Sequence, residues 1–96
     1  MRIQYDPDFL KALKKLDIRI RKSLRKRAEV FLQNHLDPQL HNHALRAKYK
    51  GFRSIDITGD YRVIYEEIQE GEETVAHFIA IGTHDELYGH GIEGID

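Results

Sequence analysis

Residues 58–65 read Thr-Gly-Asp-Tyr-Arg-Val-Ile-Tyr, a turn pattern that passes without a break into a strand pattern. Gly and Asp favour turns, whereas β-branched and aromatic residues favour strands. Residues 74–88, Thr-Val-Ala-His-Phe-Ile-Ala-Ile-Gly-Thr-His-Asp-Glu-Leu-Tyr, show the reverse order, an apolar strand pattern followed by a polar motif. The two stretches together predict a sheet with chemically active side chains held at its strand ends.

Around this pair, the second half of the chain predicts four strands. The segments between them are short and turn-prone, so they favour antiparallel hairpins over helix-linked parallel strands. The predicted strands are residues 44–50, 52–58, 61–67 and 74–81.

The first half predicts a short strand at residues 1–5, followed by two helices. Asp6-Pro7-Asp8 is typical of a helix start, and Asp17 is a plausible break before a second helix from about residue 18 to about residue 35. Asp37-Pro38 ends that helix because Pro cannot continue it. Helical spacing predicts two faces for the second helix: Ile20, Leu24, Phe31 and Leu32 inward, and Arg21, Lys22, Arg25 and Lys26 outward.

The predicted architecture is α+β, with the order β-α-α-β-β-β-β. Both helices pack on one face of a mainly antiparallel sheet, and the other face is expected to be open and functional. At 96 residues we expect a single domain, residues 1–96. Residues 85–88 suit one helical turn, and residues 89–96 are expected to be a frayed tail because they hold three of the seven glycines.

Composition limits the class of protein. The chain has no cysteine, which excludes disulfides and thiolate metal sites and fits a reducing cytosol. No apolar run approaches the roughly 20 residues that span a bilayer, and lysines interrupt the N-terminal segment where a signal peptide would be apolar. We therefore expect a cytoplasmic protein without a membrane partner.

The net charge of −1 hides an uneven distribution of charge. Residues 1–50 hold 13 of the 15 Lys and Arg residues, whereas residues 51–96 hold 11 of the 16 Asp and Glu residues. A basic block of this kind can neutralise phosphates, although an acidic protein partner or a merely solvated helix face fits it as well. The residues expected to contact RNA are Lys14, Lys15, Arg21, Lys22, Arg25, Lys26, Lys50, Arg53 and Tyr61.

Several polar residues of the second half could carry chemistry. RNA cleavage without a metal needs a base, an acid and a cation at the phosphate, roles that His and Arg suit near neutral pH. His84 follows a strand end, but it could equally be an inert surface histidine. Arg62 lies within a strand, where an ion pair with a neighbouring carboxylate would also explain it. Asp60 could be an acid, a base or only a turn residue, and Tyr88 could stack on a base or anchor the core.

Other site types find no support in the sequence. It has no Gly-rich phosphate loop, nucleophile elbow or cysteine pair, which excludes P-loop hydrolases, serine hydrolases and zinc modules. His41-Asn42-His43 offers two metal ligands, but no third stands at a recognisable spacing. We therefore expect no metal and no cofactor. His77, in the middle of a predicted strand, is expected to be a half-buried structural histidine.

Five segments, in order along nearly the whole chain, resemble the RelE/ParE superfamily of bacterial type II toxins, and most closely the YafQ-like branch of RelE-type mRNA interferases. The segments are FLKALKKL at residues 9–16, NHAL at 42–45, YKGFRS at 49–54, DYRVIY at 60–65 and IGTHDELY at 81–88. The resemblance implies a RelE-like fold and a ribosome-dependent endoribonuclease that cuts mRNA through the ribose 2′-hydroxyl. It also implies a cognate antitoxin that holds the toxin inactive.

The resemblance also implies roles for particular residues. Tyr61 stands where YafQ-like toxins carry Trp, and Arg62 falls on a phosphate-binding strand arginine of RelE. Asp56 departs from the branch, which carries a histidine there, and a carboxylate would repel the scissile phosphate unless it is protonated or paired. Either His43 and His84 share the proton transfers with Asp60, or this protein cuts RNA differently from the toxins it resembles. Arg62 could compensate for the missing histidine. The implied catalytic set is His43, Asp60, Arg62, His84 and Tyr88.

Two other functions remain open at the level of sequence. A ParE-like toxin that inhibits DNA gyrase by binding would have the same fold without nuclease chemistry. A binding module would use its polar residues only in ion pairs. The histidine in the last motif favours the nuclease, because a pure binder has no need for it. In either toxin reading, we expect an acidic or amphipathic antitoxin segment along the basic second helix.

Overall fold

The computed structural model describes residues 1–89, which form a five-stranded sheet, three α-helices and two short 3₁₀-helical turns. The strands are β1 Arg2–Tyr5, β2 His43–Ala44, β3 Arg53–Asp56, β4 Tyr61–Glu70 and β5 Glu73–Thr83. The α-helices are α1 Pro7–Lys14, α2 Ile18–Gln33 and α3 His84–Tyr88, and the 3₁₀ turns are Pro38–Leu40 and Ala47–Tyr49.

The sheet has the strand order β1-β5-β4-β3-β2 and is mixed. The pairs β2–β3, β3–β4 and β4–β5 are antiparallel, as the short joints predict, whereas β1 pairs with β5 in parallel. The register places Arg62 in the middle of a row, opposite Asp56 on β3 and Gly82 on β5. The predicted α+β fold with helices on one face of a mainly antiparallel sheet is confirmed.

Both helix starts follow from short acidic caps. The carboxylate of Asp6 accepts the backbone N–H of Asp8, and that of Asp17 accepts the backbone N–H of Arg19 at 2.7 Å. The second bond favours the ionised carboxylate and lowers the pKa of Asp17. Two helices therefore form, as predicted, rather than one continuous helix.

The core on the helix side is aromatic. Phe31 of α2 meets Tyr65 and Phe78 edge to face, with ring centroids 5.2 and 5.5 Å apart. Phe9 of α1 packs on the same Phe78 ring at 5.9 Å. Because Phe31, Tyr65 and Phe78 are almost completely buried, α2 is attached to the sheet chiefly through this aromatic cluster.

The sequence was wrong about several boundaries. The predicted strand 44–50 is a strand only at His43–Ala44, because Ala47 adopts a left-handed φ of 54° and begins a 3₁₀ turn. β4 and β5 are longer than predicted, since their hairpin turns tightly at Gly71, whose φ is 62°. The inward face of α2 also differs: Ala28 is buried, whereas Leu32 is 51% exposed.

The second face of the sheet is not open, contrary to expectation. Leu45, Ile64 and Tyr88 form a small second core there, beneath α3 and residues 45–52. The Tyr49 hydroxyl donates a hydrogen bond of 2.7 Å to the carbonyl of Leu87, which ties the two covering segments together. Beyond this second core, the polar side chains of Asp56 and Arg62 on the same face stay partly exposed to solvent.

None of the helices within residues 1–89 is both long and apolar enough to cross a bilayer. Of the predicted frayed tail, only Gly89 lies among the described residues.

Candidate active site

Two histidines, a carboxylate and an arginine meet across β2, β3 and β4. Asp56 lies between two basic groups: its Oδ1 is 3.0 Å from Nε of Arg62, and its Oδ2 is 3.7 Å from Nδ1 of His41. The rings of His41 and His43 lie side by side, with centroids 4.7 Å apart. The face opposite the helices therefore carries three nitrogen bases and one acid within a few ångströms.

The tautomer of His43 follows from its neighbour. Nδ1 of His43 lies 2.7 Å from the backbone oxygen of His41. A carbonyl oxygen can only accept, so Nδ1 must carry the hydrogen of this bond. In the neutral ring the lone pair is then on Nε2, the arrangement that a general base requires.

Arg62 is fixed by the turn that precedes its own strand. Its Nη1 donates to the carbonyl oxygens of Thr58, Gly59 and Tyr61 at 3.0–3.3 Å, while Nε faces Asp56. Within residues 1–89 these contacts use Nε and Nη1, which leaves Nη2 for a ligand. The side chain is only 20% exposed, so its position is well defined.

His84 is positioned by the start of α3. The Thr83 hydroxyl accepts the backbone N–H of Glu86, and the Glu86 carboxylate accepts that of Thr83, a capping box. Gly82 permits this close approach, since a Cβ there would lie 3.2 Å from Oε1 of Glu86. The backbone N–H of His84 donates to the carbonyl of Asp60 at 3.2 Å, which joins α3 to the turn that Arg62 holds.

Asp60 and His84 share a pocket of about 390 Å³, lined also by Gly59, Thr83 and Asp85. The His84 ring is 39% exposed and lies 5.1 Å from the buried Tyr88 ring. Tyr88 thus supports His84 from below instead of presenting a free face to a base. Gly59, which lines this pocket, accepts a hydrogen bond of 3.0 Å from Nη1 of Arg62, so the pocket adjoins Arg62.

A model of a protein family, described as the bacterial toxin of type II toxin–antitoxin systems, YafQ, matches residues 1–89. The chain belongs to the YafQ family. Among curated protein sequences none gives a significant match to this toxin.

Solved structures of related toxins show the same fold. YafQ from Escherichia coli BL21(DE3) superposes with a TM-score of 0.74 at 24% identity, over 93% of this chain and 100% of that one. A YoeB/ParE toxin from Agrobacterium tumefaciens gives 0.70 at 16% identity, over 88% and 99%. YafQ in the E. coli DinJ–YafQ complex gives 0.68 at 25% identity, over 93% and 100%.

Of the residues expected at the site of this YafQ-family toxin, His43 and Arg62 belong to the cluster around Asp56 and His41, and Asp60 and His84 line the pocket that adjoins Arg62. These four are the expected residues that the structure brings towards one site. Tyr61 is not one of them, because it points to the other face and packs against the helix-side core. The remaining basic residues expected to contact RNA also lie elsewhere: Lys50 is exposed beside the 3₁₀ turn Ala47–Tyr49, and Lys14, Lys15, Arg21, Lys22, Arg25 and Lys26 are on the helices.

Arg53 serves a structural network on the helix side. Its Nε donates to Oδ1 of Asn42 at 2.8 Å, and the Asn42 amide donates to Tyr65 Oη at 2.7 Å and to the carbonyl of His35 at 2.8 Å. Burial raises the pKa of Tyr65, which keeps its hydroxyl protonated near neutral pH. This network fixes the chain that leads into β2 and so positions His43.

His77 also lies outside the site, between Asp6 at 3.5 Å and Glu66 at 3.6 Å. It is a half-buried histidine, as the sequence predicts.

Sequence reasoning missed the grouping of His41 with Asp56. The sequence did contain a signal for this grouping. It has two histidines two residues apart, and the register of the predicted hairpin sets Asp56 opposite Arg62. In residues 1–89, no three His, Asp or Glu side chains are arranged so that they could hold a metal ion.

Proposed function

We propose that this toxin is a ribosome-dependent mRNA endoribonuclease. The observation that carries the proposal is the placement of Arg62 on β4, between the histidines at and just before β2 and the pocket of Asp60 and His84 at the end of β5. A base, a cation and an acid in a row suit an in-line displacement at a phosphodiester.

In the proposed reaction Nε2 of His43 takes the proton of the ribose 2′-hydroxyl. The 2′-oxygen attacks phosphorus, the bond from phosphorus to the 5′-oxygen breaks, and protonated His84 gives its proton to that oxygen. The products are a 2′,3′-cyclic phosphate and a 5′-hydroxyl. Nη2 of Arg62 stabilises the charge that develops on the phosphate oxygens.

The remaining residues of the pocket assist His84. Oδ1 of Asp85 lies 3.6 Å from Nδ1 of His84 and is in place to orient the imidazole, while Asp60 lines the same pocket. Tyr88 packs beneath the ring and limits its rotation. The pocket is shallow and shared with solvent, which favours a nuclease that acts on an RNA strand already held by a larger particle.

The basic helices supply the affinity for that particle in this proposal. The cations of α1 and α2 are exposed on the side of the sheet opposite Arg62. They can contact ribosomal RNA phosphates while the polar row faces mRNA. The toxin then acts in the cytoplasm, where translating ribosomes are found.

The proposed function is tested by incubating the purified toxin with a defined mRNA, with and without translating ribosomes. We expect site-specific cuts that need ribosomes and that leave a 2′,3′-cyclic phosphate on the upstream fragment. No cleavage under either condition, with growth still arrested in cells, would reject the nuclease in favour of gyrase inhibition by binding.

We also propose that a cognate antitoxin covers the groove between α1 and α2. The groove measures about 510 Å³ and includes Leu10, Ile18 and Leu32, each 41–51% exposed. Arg21, Lys22 and Arg25 line it as well. Apolar side chains beside a group of cations match an amphipathic segment with acidic residues along one edge. The E. coli DinJ–YafQ complex supports the existence of such a partner.

Reversing the charge of Arg21, Lys22, Arg25 and Lys26 to Glu should abolish complex formation with the antitoxin. Because Leu32 lines the groove and Leu36, which is also exposed, does not, Leu32→Ala should weaken the complex about tenfold and Leu36→Ala should not. Titration calorimetry measures both. Unchanged affinity in the charge-reversed toxin would exclude this surface.

A further inference from the structure

Asp56 contacts two basic side chains, one at each of its carboxylate oxygens. Arg62 faces Oδ1 from β4, and His41 faces Oδ2 from the segment before β2. We propose that His41 and Arg62, both held by Asp56, form a paired cation site for the scissile phosphate. This inference rests on the proposed function and adds His41 as a catalytic residue and Asp56 as a positioning residue.

The charges of the cluster support binding of an anion. When His41 carries a proton, the guanidinium and the imidazolium together outweigh the one carboxylate by a charge of +1, so the cluster as a whole then attracts a phosphodiester. The carboxylate alone would repel it. The pairing therefore explains how an acid can stand beside a phosphate-binding arginine without opposing the substrate.

Arg62 and His41 differ in how far their side chains are exposed to solvent, and this difference gives them different roles. The Arg62 side chain is 20% exposed and anchored by carbonyl oxygens, whereas that of His41 is 65% exposed. Arg62 thus presents one nitrogen from a fixed position, and His41 presents a ring edge that the substrate can reach. Two donors from different segments of the chain can engage both non-bridging oxygens of one phosphate.

The backbone at His41 provides a second, independent observation. His41 has a φ of 47°, in the left-handed region where Gly or Asn is the usual residue. Strained residues of this kind persist mainly where the surrounding structure or a function requires them. The strain places the His41 ring against His43 instead of directing it into solvent.

The proposed step forms and breaks no bond at His41. The proton transfers remain with His43 and His84, while His41 and Arg62 neutralise the charge on the phosphate oxygens as the 2′-oxygen attacks. Removing one such stabilising donor costs an enzyme about 10²–10³-fold in rate. Because His41 is exposed, we expect its removal to reduce the rate by an amount at or below the lower end of that range.

The first test compares His41→Gly with Ala47→Gly in single-turnover cleavage of mRNA on pre-formed ribosome complexes. Both residues have positive φ, so both changes relieve the same backbone strain and should leave the melting temperature equal to or above that of wild type. We expect His41→Gly to cut about 10–10²-fold more slowly and Ala47→Gly to cut at the wild-type rate. His41→Lys, which restores a cation, should recover much of the loss.

The second test is Asp56→Asn, which separates positioning from simple repulsion. If Asp56 only repels RNA, its removal should raise kcat. If Asp56 positions the two cations, kcat should fall about tenfold or more while KM stays the same or decreases, since the site becomes more positive.

The two tests fail in ways that differ from a failure of the proposed function. Wild-type toxin that does not cut would reject the nuclease itself. Wild-type toxin that cuts, together with His41→Gly cutting equally fast or Asp56→Asn cutting with a higher kcat, would overturn only the paired cation site.

Discussion

His84→Ala is expected to slow ribosome-dependent mRNA cleavage by about 10²–10⁴-fold, the contribution typical of a positioned acid or base. The structure gives His84 three supports: the capping box at the start of α3, the backbone bond to Asp60, and the Tyr88 ring beneath the imidazole. The first two do not depend on the His84 side chain, so the variant should keep its fold. The rate constant under single-turnover conditions measures the loss directly.

A second histidine provides the control for this prediction. His77 lies between Asp6 and Glu66, away from the Arg62 row, and His77→Gln should cut at the wild-type rate. Near-UV circular dichroism of both variants would confirm that their packing is preserved. Equal cleavage by wild type and His84→Ala would remove His84 from the mechanism and leave the proton transfers to His43 and Asp60.

The two toxin functions respond differently to this change. A gyrase inhibitor acts through shape and charge, so loss of one imidazole should leave growth arrest nearly intact. A nuclease should lose toxicity together with cleavage. The cellular test is to measure growth after induced expression of His84→Ala. The nuclease function is supported only if the growth arrest disappears.

The parts of the fold that the sequence predicts are those fixed by local chemistry. The helix starts at Asp6 and Asp17 depend on side chains two residues from the N–H groups that they cap, and the β4–β5 hairpin depends on a tight turn at Gly71. Interactions of this range can be read from a sequence because both partners are close together in it.

The errors arise where a distant contact decides the local structure. Residues 44–50 have a strand-like composition, but the bond from Tyr49 to Leu87 draws them over the sheet as a 3₁₀ turn. Tyr61 looks like an exposed aromatic beside a catalytic acid, yet the β4 pleat turns it towards the helix-side core. Neither outcome follows from neighbouring residues.

For the site as well, single residues could be predicted from the sequence, whereas contacts between distant residues could not. The sequence predicts Arg62 and His84 as single residues, but the pairing of Asp56 with both Arg62 and His41 needs the strand register and the path of the chain before β2. The carboxylate that looked unfavourable beside a phosphate lies between Arg62 and His41.

Phe31→Ala should reduce the free energy of unfolding by about 3–5 kcal/mol, as expected for a large aromatic side chain removed from a core. Domains of this size are stable by only about 5–15 kcal/mol, so the variant should be close to unfolding at growth temperature. Phe31 is 1% exposed and contacts both Tyr65 and Phe78, the rings that attach α2 to the sheet. Urea unfolding followed by circular dichroism measures the change.

The next residue is the matched control. Leu32 is 51% exposed on the groove side of α2, so Leu32→Ala should cost less than about 1 kcal/mol in the isolated toxin. The two neighbours thus separate two roles of one helix: Phe31 holds the fold and Leu32 contributes to the proposed antitoxin surface. Equal losses of stability in the two variants would contradict this division.

Charge on α2 explains why so much depends on Phe31. The helix carries six Lys and Arg residues and a single acid, Glu29, so its own side chains repel one another and add little to its stability. Burial of Leu24, Ala28 and Phe31 must hold it in place. Salt screens repulsion between exposed charges, and we therefore expect added salt to recover part of the stability lost in Phe31→Ala. An acidic antitoxin segment along α2 would reduce the same repulsion between its cations. We therefore expect antitoxin binding to stabilise Phe31→Ala more by relieving this repulsion than by adding any contact in the core.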